Sequence, residues 1–149
     1  MNFKNKNKGF TLIEMLIVIT IIALLASLIL VGMGGARAKT RDSRRIADLH
    51  NVMNALELYY ARYSYYPDAS DWTTLTNALT TGGVGVSRIP QDPLNTSPTA
   101  KSYYYGVSTD GQDYALGADL ETEDPALDSD VDGIVYGISC DDPAYCIRP

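Results

Sequence analysis

Apolar and polar residues divide the chain into three zones. Residues 10–31 form a mainly apolar run of 22 positions in which Glu14 is the only formal charge. From Ile46 to Tyr63, apolar residues recur every three or four positions, which is typical of an amphipathic helix. The pattern therefore predicts one long helix from about residue 10 to about residue 63, roughly 80 Å in length at about 1.5 Å per residue.

The zone after Pro67 contains shorter elements. Ser70 or Asp71 is placed to cap a short helix with an apolar face, and Thr80-Thr81-Gly82-Gly83 ends it. Alternating bulky residues then predict strands, and Asp110-Gly111 is typical of a hairpin turn between the first two of them. The predicted strands are 103–107, 113–116 and 134–138. We therefore expect an α+β fold in which the long helix packs on a small antiparallel sheet.

The apolar run has the length of a membrane span. About 20 apolar residues cross a hydrocarbon core of roughly 30 Å as a helix. The preceding residues 1–8 contain three lysines and no acid. A carboxylate within such a span is costly unless it is paired or reaches the lipid headgroups. Glu14 is therefore a candidate functional residue, and the alternative is a carboxylate that simply extends to the headgroups.

Residues 8–14, Lys-Gly-Phe-Thr-Leu-Ile-Glu, resemble the N-terminal signal of type IV pilins and type II secretion pseudopilins. The resemblance implies that a prepilin peptidase cuts between Gly9 and Phe10 and methylates the new amine of Phe10. It also implies that Glu14 pairs with the N-terminal amine of a neighbouring subunit during assembly. Tyr66-Pro67, the segment 89–93 (Ile-Pro-Gln-Asp-Pro) and the tyrosine-rich hairpin are similar to the major pseudopilins.

An ordinary secretory signal peptide is the rival interpretation of the N-terminus. Ala36-Arg37-Ala38 matches an A-x-A cleavage site, and the preceding residues are basic and then apolar. The apolar run is nevertheless longer than the usual 7–15 residues of such a peptide, and Glu14 has no role in one.

Charge and composition exclude several functions. The net charge is −6, and residues 67–149 contain 14 acidic against three basic residues. This part of the chain repels phosphate, so we expect no direct binding of nucleic acid by it. The sequence shows no Ser/His/Asp arrangement around its single histidine, His50, and it contains no glycine-rich phosphate-binding loop. We therefore expect no enzymatic activity.

Two features near the C-terminus predict a disulfide and a calcium-binding loop. Behind an export signal, the two cysteines Cys140 and Cys146 predict a disulfide. The motif Asp128-x-Asp130-x-Asp132-Gly133 matches the opening of a calcium loop, although Ser139 at position twelve excludes an EF-hand. The resemblance implies calcium in the loop before the last strand, with Asp119, Asp130 and Asp132 as candidate ligands, and the motif adds Asp128. The alternative is a solvated acidic loop.

The predicted organisation has four parts: a leader 1–9, a transmembrane or filament-core helix 10–36, an amphipathic helix 37–66 and a globular head 67–149. The resemblance implies a structural subunit, anchored by one span in the inner or cytoplasmic membrane with its head outside the cytoplasm. It then joins a periplasmic or extracellular homo-oligomeric helical filament. Implied partners are the prepilin peptidase, an assembly platform membrane protein and minor pilins or pseudopilins. A membrane-anchored extracellular calcium- or ligand-binding module that never polymerises is the alternative function.

Overall fold

The structure, a computed structural model, describes residues 9–95 and 103–149, and within residues 28–33 it describes the helix but not the side chains. The chain divides into two compact units, Met1–Arg37 and Ala38–Pro149. Helix α1 spans Leu12–Tyr63, so it begins in the N-terminal unit and ends in the C-terminal unit. The predicted long helix is confirmed. Most of the predicted leader, residues 1–8, lies outside the described residues.

In its described residues, 38–95 and 103–149, the C-terminal unit contains a second helix, one 3₁₀ turn and five short strands. Asp71 caps the second helix because its Oδ1 accepts a hydrogen bond from the Thr74 amide at 2.8 Å. This confirms the short capped helix that the sequence predicts. The elements are α2 (Trp72–Thr81), β1 (Tyr104–Val107), β2 (Tyr114–Asp119), η1 (Pro125–Ser129), β3 (Ile134–Val135), β4 (Ile138–Ser139) and β5 (Ala144–Ile147).

The main sheet has the order β1-β2-β5, and both strand pairs are antiparallel. The predicted hairpin of β1 and β2 is confirmed, but the prediction of a third sheet strand at 134–138 is wrong. This segment reverses at Tyr136 and Gly137, whose φ angles are 47° and 84°, and folds on itself as the separate hairpin β3–β4. Two successive positive φ angles define a tight hairpin turn, so the chain cannot continue as one strand. The third sheet strand is β5 instead.

The core lies between α1 and the sheet of the C-terminal unit. Leu49, Val52 and Leu56 on α1 are fully buried, as the three- and four-residue spacing predicts. They belong to the same cluster as Leu75 of α2 and Leu116 of β2. Burial of each such side chain contributes about 1.5–3 kcal/mol. This core holds in place the loops that carry the acidic residues.

Candidate functional site

The predicted processing site lies at the start of α1. Phe10 is 79% exposed, and Thr11 precedes the first helical residue. Glu14 Oε2 accepts hydrogen bonds from the Thr11 amide and the Thr11 hydroxyl, both at 2.7 Å. In return, the Glu14 amide donates to Thr11 Oγ1 at 3.3 Å. This reciprocal arrangement is a capping box, so Glu14 also stabilises the first turn of its own helix.

The N-terminal unit exposes its apolar side chains. The large apolar residues exposed between Phe10 and Leu25 have exposed fractions between 50% and 83%. Among the residues whose side chains the structure describes, no helix meets both the length and the apolar content required to cross a membrane. The predicted span 10–36 includes residues 28–33, whose side chains fall outside that description.

A buried group of charges joins α1 to two loops of the C-terminal unit. We call it the Arg45 cluster, and its members are Arg41, Asp42, Arg45, Asp92 and Glu121. The Arg45 side chain is 0% exposed. Its guanidinium donates to Asp92 Oδ2 at 2.6 Å, to Asp42 Oδ1 at 2.7 Å and to Glu121 Oε1 at 2.6 Å.

The backbone of the acidic loop, residues 119–133, is part of the same network. Asp42 accepts hydrogen bonds from the amides of Glu121 and Thr122, each at 2.9 Å. Arg41 Nε donates to Glu121 Oε1 at 2.7 Å. Hydrogen bonds from Arg41, and then from Arg45, lower the pKa of Glu121 to about 2 against the opposing effect of burial. Burial opposes the charge of Arg45, but its three carboxylate partners outweigh burial and raise its pKa. The start of the acidic loop is thus fixed to α1 by charges that the protein itself supplies.

The predicted calcium ligands are not all brought together. Asp119 accepts a hydrogen bond from the Tyr104 hydroxyl at 2.7 Å, and Asp128 is exposed on η1. Asp130 and Asp132 instead meet Asp142, with one carboxylate oxygen from each residue within 4.8 Å of the others. Neither Asp119 nor Asp128 belongs to this group, which we call the carboxylate trio.

Asp130 is the most constrained member of the carboxylate trio. Its Oδ2 accepts a hydrogen bond from the Cys146 amide at 2.7 Å. Its Oδ1 is buried and has no hydrogen-bond partner among the described residues. Burial, with the charges of Asp132 and Asp142, raises the pKa of Asp130 against the effect of the Cys146 amide. Buried oxygens of this kind are normally satisfied, so Oδ1 has the property expected of a cation ligand.

Cys140 and Cys146 are bonded to each other, which confirms the predicted disulfide. The bridge closes a short loop that contains Asp142 and brings it beside Asp130. Sequence reasoning missed Asp142 because it lies outside the predicted acidic loop. Its position between two paired cysteines is the signal that could have identified it.

Comparison with known proteins agrees with this organisation. Residues 4–30 match the family model described as the prokaryotic N-terminal methylation motif. The type II secretion system core protein G of Aeromonas hydrophila is 31% identical over 99 residues, covering 60% of this chain and 69% of the relative. The protein of the same name from Escherichia coli K12 is 30% identical over 102 residues, covering 62% and 70%.

A further relative is the type IV wide pilus major component PilA4 of Thermus thermophilus, which is 44% identical over 52 residues, covering 35% of this chain and 40% of that protein. No solved structure matches the chain significantly. The long helix, the small sheet and the methylation motif define a pilin-like filament subunit. The chain belongs to the family of the type II secretion system core protein G. Its relatives are structural subunits, which favours a structural role over an enzymatic one.

Proposed function

We propose that the chain is a precursor cut between Gly9 and Phe10, methylated at the amine of Phe10 and stored in the inner or cytoplasmic membrane before it joins a filament. The observation that carries this proposal is the exposed apolar surface of the N-terminal unit, whose large apolar residues reach exposures of 50–83%. Exposure of a patch this large to water is unfavourable, so these side chains require lipid or other apolar helices around them. The methylation motif over residues 4–30 supports the same assignment.

Glu14 pairs with the amine of a neighbouring subunit in this proposal. Both hydrogen bonds that its carboxylate accepts from Thr11 end on Oε2. No hydrogen bond to Oε1 is present among the residues that the structure describes, so this oxygen is free for a second donor. A cation in a low-dielectric filament core is strongly destabilised without a counter-charge. The carboxylate therefore stabilises the neighbour's amine while it retains its cap.

Two substitutions at Glu14 test the proposal. Glu14→Gln preserves a capping-box residue but removes the charge, whereas Glu14→Ala removes both. We expect both variants to be processed, with intact-mass spectrometry showing a methylated Phe10, and both to be nearly absent from isolated filaments. If Glu14→Gln formed normal filaments and Glu14→Ala did not, the role of Glu14 would be capping and not pairing.

Gly9→Ala tests the processing step separately. It lies outside the apolar run, so membrane insertion should be unchanged while cleavage is blocked. Thr11→Ser, which keeps the hydroxyl cap, is the matched control and should be processed normally. An intact N-terminus in the wild-type protein, or one at Lys39, would instead support a membrane-anchored module or a secretory signal peptide.

The filament is a type II secretion pseudopilus in this proposal, since seven relatives, including those from Aeromonas hydrophila and Escherichia coli, carry the core protein G name. Its partners are further copies of the chain, the prepilin peptidase, the assembly platform protein and minor pseudopilins, and its head lies in the periplasm. Filaments that assemble with type II secretion components, and loss of export when the gene is deleted, are the expected results. Unchanged export with loss of surface pili would favour a type IV pilus.

Calcium binding is the second part of the proposal. The carboxylate trio offers oxygen ligands only, which suits calcium better than zinc. Asp130 Oδ1 is buried without a partner in the described part of the chain, and a cation is the group that would satisfy it. Asp130, Asp132 and Asp142 would hold the ion, whose charge offsets the repulsion among three carboxylates.

A further inference from the structure

The hairpin β3–β4 and its two flanking residues form a segment without an anchor in the core. We call this segment, residues 133–140, the strap. None of the described residues 134–139 is buried, and Ile134 is 80% exposed. A two-stranded hairpin is at best marginally stable by itself. The strap therefore depends on contacts at its tip and on its base, where the Cys140 amide donates to the Gly133 carbonyl at 2.8 Å.

The tip of the strap is bound by two charged residues next to the main sheet. Asp113 precedes β2, and Arg148 follows β5. The Tyr136 hydroxyl and the Arg148 guanidinium both donate hydrogen bonds to Asp113 Oδ2. Arg148 also donates to the Tyr136 hydroxyl at 3.2 Å, and its guanidinium carbon lies 5.6 Å from the centre of the Tyr136 ring. We call these three residues the latch.

The latch is an ionic contact near the surface. Burial opposes the charge of Asp113, but the hydrogen bonds from Tyr136 and Arg148 outweigh burial and lower the pKa of Asp113. The side chains of Asp113 and Arg148 are 27% and 42% exposed. Ion pairs with this exposure contribute little to the stability of a whole domain. The latch therefore acts on the position of the strap more than on the core.

The tip of the strap rests on Gly106 in β1. A Cβ atom at Gly106 would lie 2.5 Å from the Tyr136 carbonyl oxygen and 3.1 Å from Tyr136 Cβ. The first of these contacts is too short for a carbon and an oxygen atom, so any side chain at this position would displace the tip. Glycine inside a strand is typical of places where another backbone approaches closely. Gly106 therefore allows the strap to close on β1.

The base of the strap is flanked by two members of the carboxylate trio. Asp132 lies immediately before the strap, and Asp142 lies two residues after it. Asp142 is restrained within the disulfide loop, and Asp130 is held on β5 by the hydrogen bond from the Cys146 amide. Asp132 is exposed and continues directly into the strap. Opening of the strap would therefore move Asp132 away from the other two carboxylates.

We propose that the latch positions the carboxylate trio for a calcium ion by keeping the strap closed on β1. This inference rests on the proposed function, because it requires that the trio binds calcium. No latch residue belongs to the trio, so Tyr136, Asp113 and Arg148 are positioning residues and not ligands. Only the closed strap brings the three carboxylates together, so the apparent Kd is the intrinsic Kd divided by the closed fraction. By the same linkage, bound calcium holds the strap closed.

Calcium titration of the full chain in detergent, by calorimetry well below the Tm of each variant, tests the latch. Arg148→Met and Tyr136→Phe should each raise the Kd about tenfold, because they lower the closed fraction. Arg148→Lys keeps a cation that donates to Asp113, so its Kd should stay within about threefold of wild type.

Tyr105→Phe is the matched control for Tyr136→Phe. It removes a hydroxyl on the buried side of β1, which donates to the Pro67 carbonyl at 2.8 Å. The loss of this buried hydrogen bond should lower the Tm, while the Kd of calcium should stay unchanged because the strap is not involved.

Gly106→Ala prevents closure without removing a polar group. Its methyl group would meet the Tyr136 carbonyl oxygen, so we expect a rise in Kd of about tenfold or more. Hydrogen exchange of residues 134–139, measured by mass spectrometry, follows the strap directly. Without calcium, exchange should be faster in Arg148→Met than in wild type, and saturating calcium should restore the protection.

Three results would overturn the inference. An unchanged Kd in Arg148→Met and Gly106→Ala, with calcium binding by the wild type, would refute the latch and leave the calcium site standing. An equal rise in Kd from Tyr105→Phe would show that affinity follows overall stability, so that the latch is structural only. A wild-type chain that binds no calcium would refute both the proposed site and the latch.

Discussion

The two halves of the acidic loop resolve the repulsion of their carboxylates differently. In residues 119–124, three acids are bound by donors of the protein: Asp119 by Tyr104, Glu121 by two arginines and Asp124 by the Ala126 amide. In residues 128–132, Asp130 accepts a hydrogen bond from the Cys146 amide and lies beside Asp132 and Asp142. The first half contains its own counter-charges, whereas the second half has none nearby among the described residues.

Because of this difference, the two halves of the acidic loop are expected to be ordered by different interactions. The first half is held by Arg41 and Arg45 on α1, so its counter-charges come from the protein and not from a bound cation. The second half leaves Asp130 Oδ1 buried without a partner in the described residues, and we propose that a cation from outside orders it. Loss of a protein cation should therefore disturb the first half, and loss of calcium the second.

The largest effect is expected from Arg45→Met, which preserves bulk but removes the cation. Asp42 and Asp92, whose side chains are 0% and 2% exposed, would remain as buried carboxylates without Arg45. We expect a loss of about 3–5 kcal/mol in the free energy of unfolding. Urea unfolding of the full chain in detergent, followed by the fluorescence of the single tryptophan, Trp72, measures it.

The neighbouring Arg44→Ala is the matched control for this measurement. Its side chain is 62% exposed, so its pair with Asp48 contributes less than about 1 kcal/mol. Equal losses from the two variants would mean that the Arg45 cluster contributes no more than a surface ion pair.

Calcium should give the next largest effect. A hundredfold excess of calcium over its Kd raises the stability of the folded state by about 2.7 kcal/mol, because the ion binds only that state. Asp130→Asn and Asp142→Asn should abolish this gain, measured as the difference in Tm between calcium and chelator. Asp119→Asn and Asp128→Asn should retain it, since neither residue belongs to the carboxylate trio. A gain that survives Asp142→Asn but not Asp128→Asn would assign the site to Asp128 and not to the carboxylate trio.

Removal of the disulfide should cause a smaller loss of stability, and this loss should concern the second half of the acidic loop. Cys140→Ser with Cys146→Ser is expected to lower the free energy of unfolding by about 2 kcal/mol, the chain-entropy value for so short a loop. The calcium-dependent rise in Tm should also fall, because the bridge positions Asp142 beside Asp130. An unchanged calcium response would show that the loop keeps Asp142 in place without the bridge.

Tyr104→Phe should have the smallest effect. It removes the hydroxyl that donates to Asp119 at 2.7 Å, so we expect a loss of about 1 kcal/mol and no change in the calcium response. A reduced calcium response in this variant would connect the two halves of the loop and contradict their independence.

Local patterns predicted the elements that depend on neighbouring residues. The spacing of Leu49, Val52 and Leu56 identified the buried face of α1, and Asp71 identified the start of α2. The hairpin of β1 and β2 followed from Asp110-Gly111 between alternating segments. Each of these signals lies within a few residues, where periodicity and turn chemistry decide the outcome.

The parts that sequence reasoning missed depend on distant residues. Arg45 meets Asp92 and Glu121, which are 47 and 76 positions away, and no spacing rule indicates such a meeting. The prediction for 134–138 followed alternation in bulk and gave too little weight to Gly137, which permits the reversal after Tyr136. The strand β5 was not predicted, because its four residues include Cys146, which was interpreted only as a disulfide partner.

The capping box of Thr11 and Glu14 has a consequence for maturation. Every hydrogen bond in it joins residues that follow the proposed cut after Gly9, so proteolysis breaks none of them. The precursor and the mature chain therefore share the same first turn of α1. The proposed cut would change the charge instead: it would remove three lysines and create a new amine one residue before the cap. The proposed processing would thus be a change of charge beside an unaltered helix end, and not a refolding step.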